Sequence, residues 1–346
     1  MSRDPVVIEQ AEVTGWQSVP KRSVLEDTPL RKELLVRHPA LRGDHQIVTP
    51  MAKDMYRALK VAVLLAQPGT YFTGAPGEGR SSALRACAHL LEHEYSHIVT
   101  YQHVSTEMGI FNEKVALQDM LTSAGHAVLT GSPIMLRERL VGKILDDLRR
   151  RGIGHTALWC VDNAHNMQRR ELEVLADLQH RLWDNGMELL TVMMADPSPL
   201  PRSARGTACS GSDLSRRFFG HEHPLRGLCK PGDVTDILDA FDSLDFPEGT
   251  EVRWTEFFLP LAYQHGLRLA QEGPALYEAM VQCSPHADKS PATLATLFGA
   301  VRRALLRNAG ADGAHFRFNP DEWRRAVGTA QARADYVPPR LYGNSP

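Results

Sequence analysis

A glycine-rich stretch, Gly74-Ala75-Pro76-Gly77-Glu78-Gly79-Arg80-Ser81-Ser82, separates a short aromatic and β-branched run from a helix-forming run of small residues. The spacing of Gly74, Gly79, Arg80 and Ser81 matches the P-loop pattern G-x-x-x-x-G-K-[ST], with arginine in place of lysine. In such a loop, backbone N–H groups and the positive end of a helix dipole converge on phosphate oxygens. We therefore predict a nucleotide phosphate site at residues 74–82, although such a cluster could also be a plain tight turn.

Arginine at position 80 keeps the positive charge of a P-loop, but its guanidinium is larger than an ammonium and planar. Nucleotide binding is therefore expected, whereas efficient hydrolysis is not. Two strands later, the apolar run Thr156-Ala157-Leu158-Trp159-Cys160-Val161 ends in Asp162. In P-loop NTPases, the carboxylate at this place and the P-loop hydroxyl hold magnesium. We predict that Asp162 and Ser81 bind Mg²⁺ beside ATP.

The elements around these motifs alternate between strands and helices. Hydrophobic patterning predicts strands at residues 97–104, 156–162 and 187–196, with helices at 49–65, 134–151 and 168–183. This order predicts an α/β fold with a mostly parallel central sheet, whose ligands lie at the carboxyl ends of the strands. Beyond Pro231 only helices are predicted, at residues 234–244, 255–269, 274–283, 291–308 and 320–334.

With these motifs in place, the chain resembles the AAA+ ATPases, and among them the transposon target-selection regulators of the TnsC/TniB/MuB kind. The resemblance rests on residues 74–82, on Leu158-Trp159-Cys160-Val161-Asp162-Asn163-Ala164-His165, which is similar to the D-E-A-H/Q segment of the family, and on Leu214-Ser215-Arg216-Arg217-Phe218, which is similar to its arginine-finger segment. It implies a P-loop AAA+ core at residues 46–229 and a C-terminal helical lid at 230–334. An N-terminal arm (1–45) and a C-terminal tail (335–346) complete this division.

The resemblance also implies roles for residues that depart from the family pattern. Asn163 stands where the family has its catalytic glutamate, and an amide can orient a water but cannot accept its proton. Together with Arg80, this predicts slow or absent ATP turnover. Asp196, at the end of the next strand, could act as a base or cap the turn at Pro197. Arg216 and Arg217 are either arginine-finger residues that reach a neighbouring subunit's nucleotide or a surface pair.

DNA contacts in the family lie after the second strand and on the following helices, where this chain has Lys114, Arg137, Arg139 and Lys143. Phosphate contacts from these residues would give sequence-independent, salt-sensitive binding to double-stranded DNA. A solvated helix face explains them equally well. The whole chain has 39 Lys and Arg residues and 41 Asp and Glu residues, so it carries no excess of positive charge. A DNA site must therefore be confined to one surface.

The resemblance thus implies a nucleotide-dependent homo-oligomer, a ring or filament on duplex DNA, that links a target-site selector to a transposase. An active AAA+ ATPase motor and a non-DNA scaffold for secretion or signalling are the alternatives. The five cysteines show no zinc spacing, the N-terminus lacks an apolar signal core, and no apolar run is long enough to span a membrane. We expect a cytoplasmic protein without a membrane partner.

Overall fold

The computed structural model describes residues 20–43, 47–107, 109–152, 154–197, 213–220, 222–284 and 293–332 of the 346-residue chain. These residues fall into two compact units. One is Met51–Arg226, and the other consists of the described parts of Met1–Pro50 and Gly227–Pro346. The first unit carries the sheet and the second is helical. Along the chain, the sheet-bearing unit is therefore inserted between two parts of the helical unit.

The N-terminal part of the helical unit contains three short helices, α1 (Lys21–Leu25), α2 (Pro29–Arg37) and α3 (Pro39–Arg42). Thr28 caps α2, since its hydroxyl oxygen accepts the Arg31 N–H at 3.2 Å. Arg302, from the C-terminal part of the same unit, donates to the Leu41 carbonyl at 3.2 Å. Residues 20–43, which the sequence assigned to the N-terminal arm, are therefore part of the helical unit.

The sheet-bearing unit alternates helices and strands. In chain order these are α4 (Pro50–Leu64), β1 (Gly69–Thr73), α5 (Arg80–Glu94), β2 (Val99–Val104), α6 (Glu113–Ser123), α7 (Pro133–Arg150), β3 (Thr156–Asp162), α8 (Arg169–Asp184), β4 (Glu188–Ala195), α9 (Asp213–Phe219) and β5 (Glu222–Pro224). The strands form one parallel sheet in the order β2-β3-β4-β1-β5. The predicted α/β fold with a parallel sheet is confirmed. Residues 198–212, between β4 and α9, lie outside the described residues.

The interior strands β3 and β4 are buried along nearly their whole length. Every residue from Thr156 to Val161 is buried, and so is every residue from Leu189 to Ala195. Strands this apolar suit a parallel sheet that is covered by helices on both faces. Trp159 of β3 belongs to the same buried cluster as the apolar faces of α7 and α8, which include Leu136, Leu140, Ile144, Leu172, Leu175 and Leu178.

The C-terminal part of the helical unit contains α10 (Pro231–Ser243), α11 (Trp254–Phe258), α12 (Pro260–Gln264), α13 (Gly273–Cys283), α14 (Leu294–Asn308) and α15 (Pro320–Ala332). The single helix predicted at residues 255–269 is wrong. Leu259 has φ −131° and ψ 64°, because a proline at position 260 lacks an N–H group and disfavours helical geometry in the residue before it. Within the described residues of both units, no helix has the length and apolarity needed to cross a membrane.

His103 is a buried titratable residue on β2, beside α6. Its Nδ1 lies 3.0 Å from the hydroxyl oxygen of Ser123, and burial lowers the pKa of His103 to about 4. Asp119 and Glu171 line the same cavity, which has a volume of about 10 Å³, and burial raises the pKa of Glu171. At neutral pH, the His103 imidazole is therefore uncharged in the folded protein.

We predict that His103 makes the protein less stable in acid. An unfolded histidine has a pKa of about 6.5. Between about pH 6.5 and 4, the unfolded chain therefore binds a proton that the folded chain does not, and the free energy of unfolding falls by up to about 3 kcal/mol. In His103→Gln this loss should be absent, so that stability measured by denaturant unfolding depends less on pH.

His180→Gln is the matched control, because the His180 side chain on α8 is 74% exposed. Its unfolding free energy should follow the wild-type pH curve. Burial also raises the pKa values of Asp119 and Glu171, and these opposing effects are present in all three proteins. Parallel pH curves for His103→Gln and the wild type would contradict the prediction.

Candidate functional site

The glycine-rich loop connects the end of β1 to the start of α5. Gly77 and Gly79 have φ angles of 84° and 77°, a left-handed conformation that residues with a side chain rarely adopt. At Gly74, a Cβ atom would lie 3.2 Å from Arg80 Cγ and 3.3 Å from Leu225 Cβ. Larger residues at these positions would strain or crowd the loop. Glycines therefore allow the chain to turn tightly onto the helix N-terminus.

The first turn of α5 presents backbone N–H groups that have no acceptor in the part of the chain that the structure describes. The first hydrogen bond of the helix runs from the Ala83 N–H to the Gly79 carbonyl at 2.8 Å. Among the described residues, none accepts a hydrogen bond from the amides of Arg80, Ser81 or Ser82. Such amides and the positive end of the helix dipole together bind anions. The loop therefore fits a phosphate group, which accepts several hydrogen bonds at once.

Glu78 closes the loop from within. Its Oε2 accepts a hydrogen bond from the Ala75 N–H at 2.7 Å, while Pro76 between them is exposed. Burial raises the pKa of the Glu78 carboxyl group, and the bond from Ala75 and the charge of Arg80 oppose that shift. The loop thus carries an acidic group of its own.

Asp162 and Ser81 lie at the same edge of the sheet. Asp162 ends β3, Ser81 belongs to the helix that follows β1, and the strands are parallel. A carboxylate and a hydroxyl oxygen are donors that Mg²⁺ prefers, with phosphates and water completing its coordination. These residues therefore fit a magnesium ion bound together with a nucleotide. Across the described ranges, no group of three or more His, Cys, Asp or Glu side chains could hold a metal ion.

Asn163 follows Asp162 and has a left-handed backbone, with φ 55° and ψ 38°. Its N–H donates to Asp162 Oδ1 at 2.9 Å. Asparagine adopts this conformation more readily than most residues other than glycine. The backbone thus gives a structural reason for asparagine at this position. The side-chain amide of Asn163 can still orient a water but cannot take up a proton.

Arg80 points from the loop to the end of β4, where it forms an ion pair with Asp196. The side chains of Arg80 and Asp196 are 14% and 31% exposed. His165 contacts the same residue, with Nε2 3.6 Å from Asp196 Oδ2 and Nδ1 3.4 Å from the Asp196 backbone nitrogen, which donates to it. The two roles considered from the sequence, a base and a cap of the Pro197 turn, did not include this ion pair. The partner of the P-loop arginine was therefore not predicted from the sequence.

The two candidate finger arginines lie on α9, at the edge of the sheet opposite to the glycine-rich loop. A Cβ atom on Gly69, the first residue of β1, would lie 2.2 Å from the Arg217 carbonyl oxygen, so α9 packs against the start of β1. Arg216 is exposed, and no described residue pairs with it. Arg217 instead donates to Gln179 Oε1 at 3.3 Å and lies 3.5 Å from Asp213.

Gln179 of α8 connects α9 to the sheet and was also missed by the sequence analysis. The residue is 7% exposed, and its Nε2 lies 2.7 Å from the Pro68 carbonyl, 3.0 Å from the Leu189 carbonyl and 3.1 Å from Thr191 Oγ1. Its Oε1 accepts the bond from Arg217. A buried amide with such partners fixes the elements around it. The available signal was a glutamine among the leucines on the buried face of α8.

Two of the basic residues predicted to contact DNA have acidic partners in the protein. Arg137 pairs with Glu113 and lies 3.1 Å from Asp177. Lys143 Nζ lies 2.6 Å from a carboxylate oxygen of Asp147, one helical turn away. Both side chains are at most one quarter exposed, at 25% and 21%. A DNA phosphate would have to compete with these carboxylates.

The other two basic residues differ from each other. Arg139 donates to the Val128 carbonyl at 3.1 Å and to the Thr130 carbonyl at 2.9 Å, and so holds the turn before α7. Lys114, near the start of α6, is exposed. Asn112 Oδ1 accepts a hydrogen bond from the Lys114 backbone N–H, but no described residue pairs with its side-chain ammonium. Of the four candidates, Lys114 therefore has the most accessible charge.

Comparison with solved structures finds the same fold in other proteins. The ORC2 protein of Aeropyrum pernix, solved in ADPNP-ADP complexes, is 12% identical, with a TM-score of 0.54 over 81% of this chain and 67% of that one. The Aeropyrum pernix ORC1 protein in complex with DNA is 13% identical, with a TM-score of 0.50 over 84% of this chain and 66% of that one. The chain thus spans about two thirds of the length of each.

At such identities the likeness shows the fold alone, an α/β fold with a parallel sheet as predicted from the sequence. No protein-family model matches the chain, and no curated protein sequence matches it either.

Proposed function

We propose that this chain is a nucleotide-binding AAA+ protein that binds double-stranded DNA and assembles with copies of itself. The observation that carries the proposal is the first turn of α5, where the amides of Arg80, Ser81 and Ser82 have no acceptor among the described residues. Residues 74–82 would hold the phosphates of ATP, and Ser81 and Asp162 would hold Mg²⁺. The bound ion would neutralise phosphate charge. The neighbour ORC2, solved in ADPNP-ADP complexes, supports a nucleotide as the ligand.

Slow or absent hydrolysis is part of this proposal, because the site has two unfavourable substitutions. Asn163 cannot accept a proton from an attacking water. Arg80 is engaged by Asp196, whereas the usual P-loop lysine supplies a compact and mobile charge. Nucleotide then acts as a signal for assembly. The alternative is an active ATPase motor in which another group, such as Asp196, serves as the base.

Arg216 is the stronger candidate for the arginine that acts on a neighbouring copy. β1 has five residues, which span about 16 Å, and it separates α9 from the glycine-rich loop of the same chain. An arginine side chain is too short to cross that distance. Arg217 is bound to Gln179 and so positions α9. An arginine supplied by a second copy would stabilise phosphate charge across the contact between the two.

DNA binding is proposed for the surface that carries Lys114, with smaller contributions from Arg137, Arg139 and Lys143. The proposal is supported by the exposed ammonium of Lys114 and by the neighbour ORC1, solved in complex with DNA. Contacts with phosphates alone would make the binding independent of sequence.

We further propose a role in transposition, in which a DNA-bound ring or filament links a target-site selector to a transposase in the cytoplasm. This role is supported by the resemblance of residues 74–82, 158–165 and 214–218 to transposon regulators. The competing function is an AAA+ scaffold for secretion or signalling that does not bind DNA. Binding to duplex DNA distinguishes the two.

For hydrolysis, we expect a wild-type ATP turnover below about 1 s⁻¹, the lower end of the usual enzyme range. Phosphate release with Mg²⁺, with and without duplex DNA, measures it. Asp162→Ala should abolish the magnesium dependence of ATP binding, whereas Asp146→Ala should not, because that side chain on α7 is 62% exposed. Brisk turnover that disappears in Asp162→Ala would favour the motor.

For assembly, Arg216→Ala and Arg217→Ala should fail in different ways. Arg216→Ala should keep the wild-type melting temperature and lose ATP-dependent assembly on duplex DNA, as measured by sedimentation or electron microscopy. Arg217→Ala should lower stability by about 1 kcal/mol, because it removes a hydrogen bond to the buried Gln179. Arg57→Ala, an exposed arginine on α4, is the control. Normal assembly of Arg216→Ala would exclude it as the finger.

For DNA, binding to a duplex without sequence preference should weaken roughly a hundredfold between about 50 and 200 mM salt if about four phosphates are contacted. Lys114→Ala should reduce the slope of log affinity against log salt by about 1. Lys53→Ala, an exposed lysine on α4, should leave the slope unchanged. No binding at low salt would overturn the DNA-linked function and favour the scaffold.

A further inference from the structure

The ion pair between Arg80 and Asp196 places a carboxylate on the cation of the phosphate loop. Asp196 follows β4, which lies between β1 and β3 in the sheet, so the carboxylate lies between the loop and the end of the strand that bears Asp162. His165 contacts the same group, with Nε2 3.6 Å from Asp196 Oδ2. Asp196 pairs with a residue of the loop whose side chain is only 14% exposed. Its carboxylate is therefore part of the site.

A carboxylate at this place competes with the outermost phosphate of a nucleotide. In P-loops, backbone amides cradle the α- and β-phosphates, and the basic side chain reaches the β- and γ-phosphates. The amides of Arg80, Ser81 and Ser82 can hold both phosphates of a diphosphate, so that its β-phosphate does not require Arg80 to leave Asp196. A third phosphate has to take Arg80 from Asp196. It then lies near an uncompensated negative charge, which is unfavourable in a partly buried site.

We propose that Asp196 makes this site prefer a nucleoside diphosphate to a nucleoside triphosphate. The inference rests on the nucleotide binding proposed above and specifies the ligand that the unassembled protein favours. A triphosphate binds only by separating Arg80 from Asp196. The strength of this ion pair therefore determines how much triphosphate is needed to occupy the site.

Other roles of Asp196 would leave a different pattern of affinities. A purely structural ion pair would, when removed, lower stability and change the affinities for diphosphate and triphosphate by the same factor. Removal of a magnesium ligand would weaken binding of the triphosphate. Only a charge that competes with the third phosphate raises the triphosphate affinity selectively when it is neutralised. The ratio of the two affinities is therefore the decisive quantity.

The test compares ADP with a non-hydrolysable ATP analogue, each with Mg²⁺, by isothermal titration calorimetry on the full chain. The wild type should bind ADP at least about fivefold more tightly than the analogue. In Asp196→Asn, which keeps the shape of the side chain, the affinity for the analogue should rise roughly tenfold and that for ADP less than about threefold. Asp184→Asn removes a carboxylate that is 60% exposed on α8 and should reproduce the wild-type ratio.

Asp196→Ser supplies a second uncharged variant, and thermal unfolding followed by circular dichroism verifies that each protein is folded. Equal changes in the two affinities, or weaker binding of the analogue to the uncharged variants, would overturn the inference. If the wild type binds both nucleotides and the ratio does not change in the variants, the inference fails and nucleotide binding stands. If no nucleotide binds to the wild type or to any variant, the proposed function fails as well.

Discussion

The parallel pairing of β1 with β4 determines where the candidate site lies. Thr73 is in register with Ala195, and the Gly74 N–H donates to the Ala195 carbonyl at 3.1 Å. The loop that follows β1 therefore starts beside Asp196, the residue that follows β4. A shift of this register by one residue would move side chains to the opposite face of the sheet, and Arg80 would lose its partner. The geometry of the site thus depends on the backbone hydrogen bonds between β1 and β4.

The phosphate loop has acidic partners within the protein before any ligand binds. Glu78 accepts the Ala75 amide, and Asp196 neutralises Arg80. Without these acids, a partly buried guanidinium at the end of a positive helix dipole would be costly. The same two carboxylates, however, lower the positive potential that attracts phosphates. Stability of the ligand-free loop and affinity for a highly charged ligand therefore oppose each other at this site.

Much of the sheet could be predicted because its strands carry their signal locally. The runs that became β3 and β4 are almost purely apolar, and the glycine spacing of the loop is read directly from the sequence. Partners far apart in the chain leave no such signal, as Arg80 and Asp196 show, since 116 residues separate them. Arg216 and Arg217 look equivalent in sequence. They differ in the structure because successive residues of a helix point in directions about 100° apart.

The other differences between prediction and structure involve single residues. The helix break before Pro260 could have been predicted, because proline disfavours helical geometry in the residue before it. The acidic partners of Arg137 and Lys143 were not, since a basic residue on an amphipathic helix looks the same whether it faces a carboxylate or solvent. Gln179 left one signal, its place among the leucines on the buried face of α8, but that signal does not identify its partners.

The separation of the glycine-rich loop from α9 along β1 gives any assembly built on these two features a direction. If a copy offers its Arg216 to one neighbour and its loop to another, the contact joins unlike surfaces and builds a ring or a helix, not a two-fold dimer. The rotation between neighbours decides between a ring and a helix. An open helix then has two different ends, one with a vacant loop and one with an unused arginine. A partner protein that recognises either feature would bind one end of the assembly and not the other.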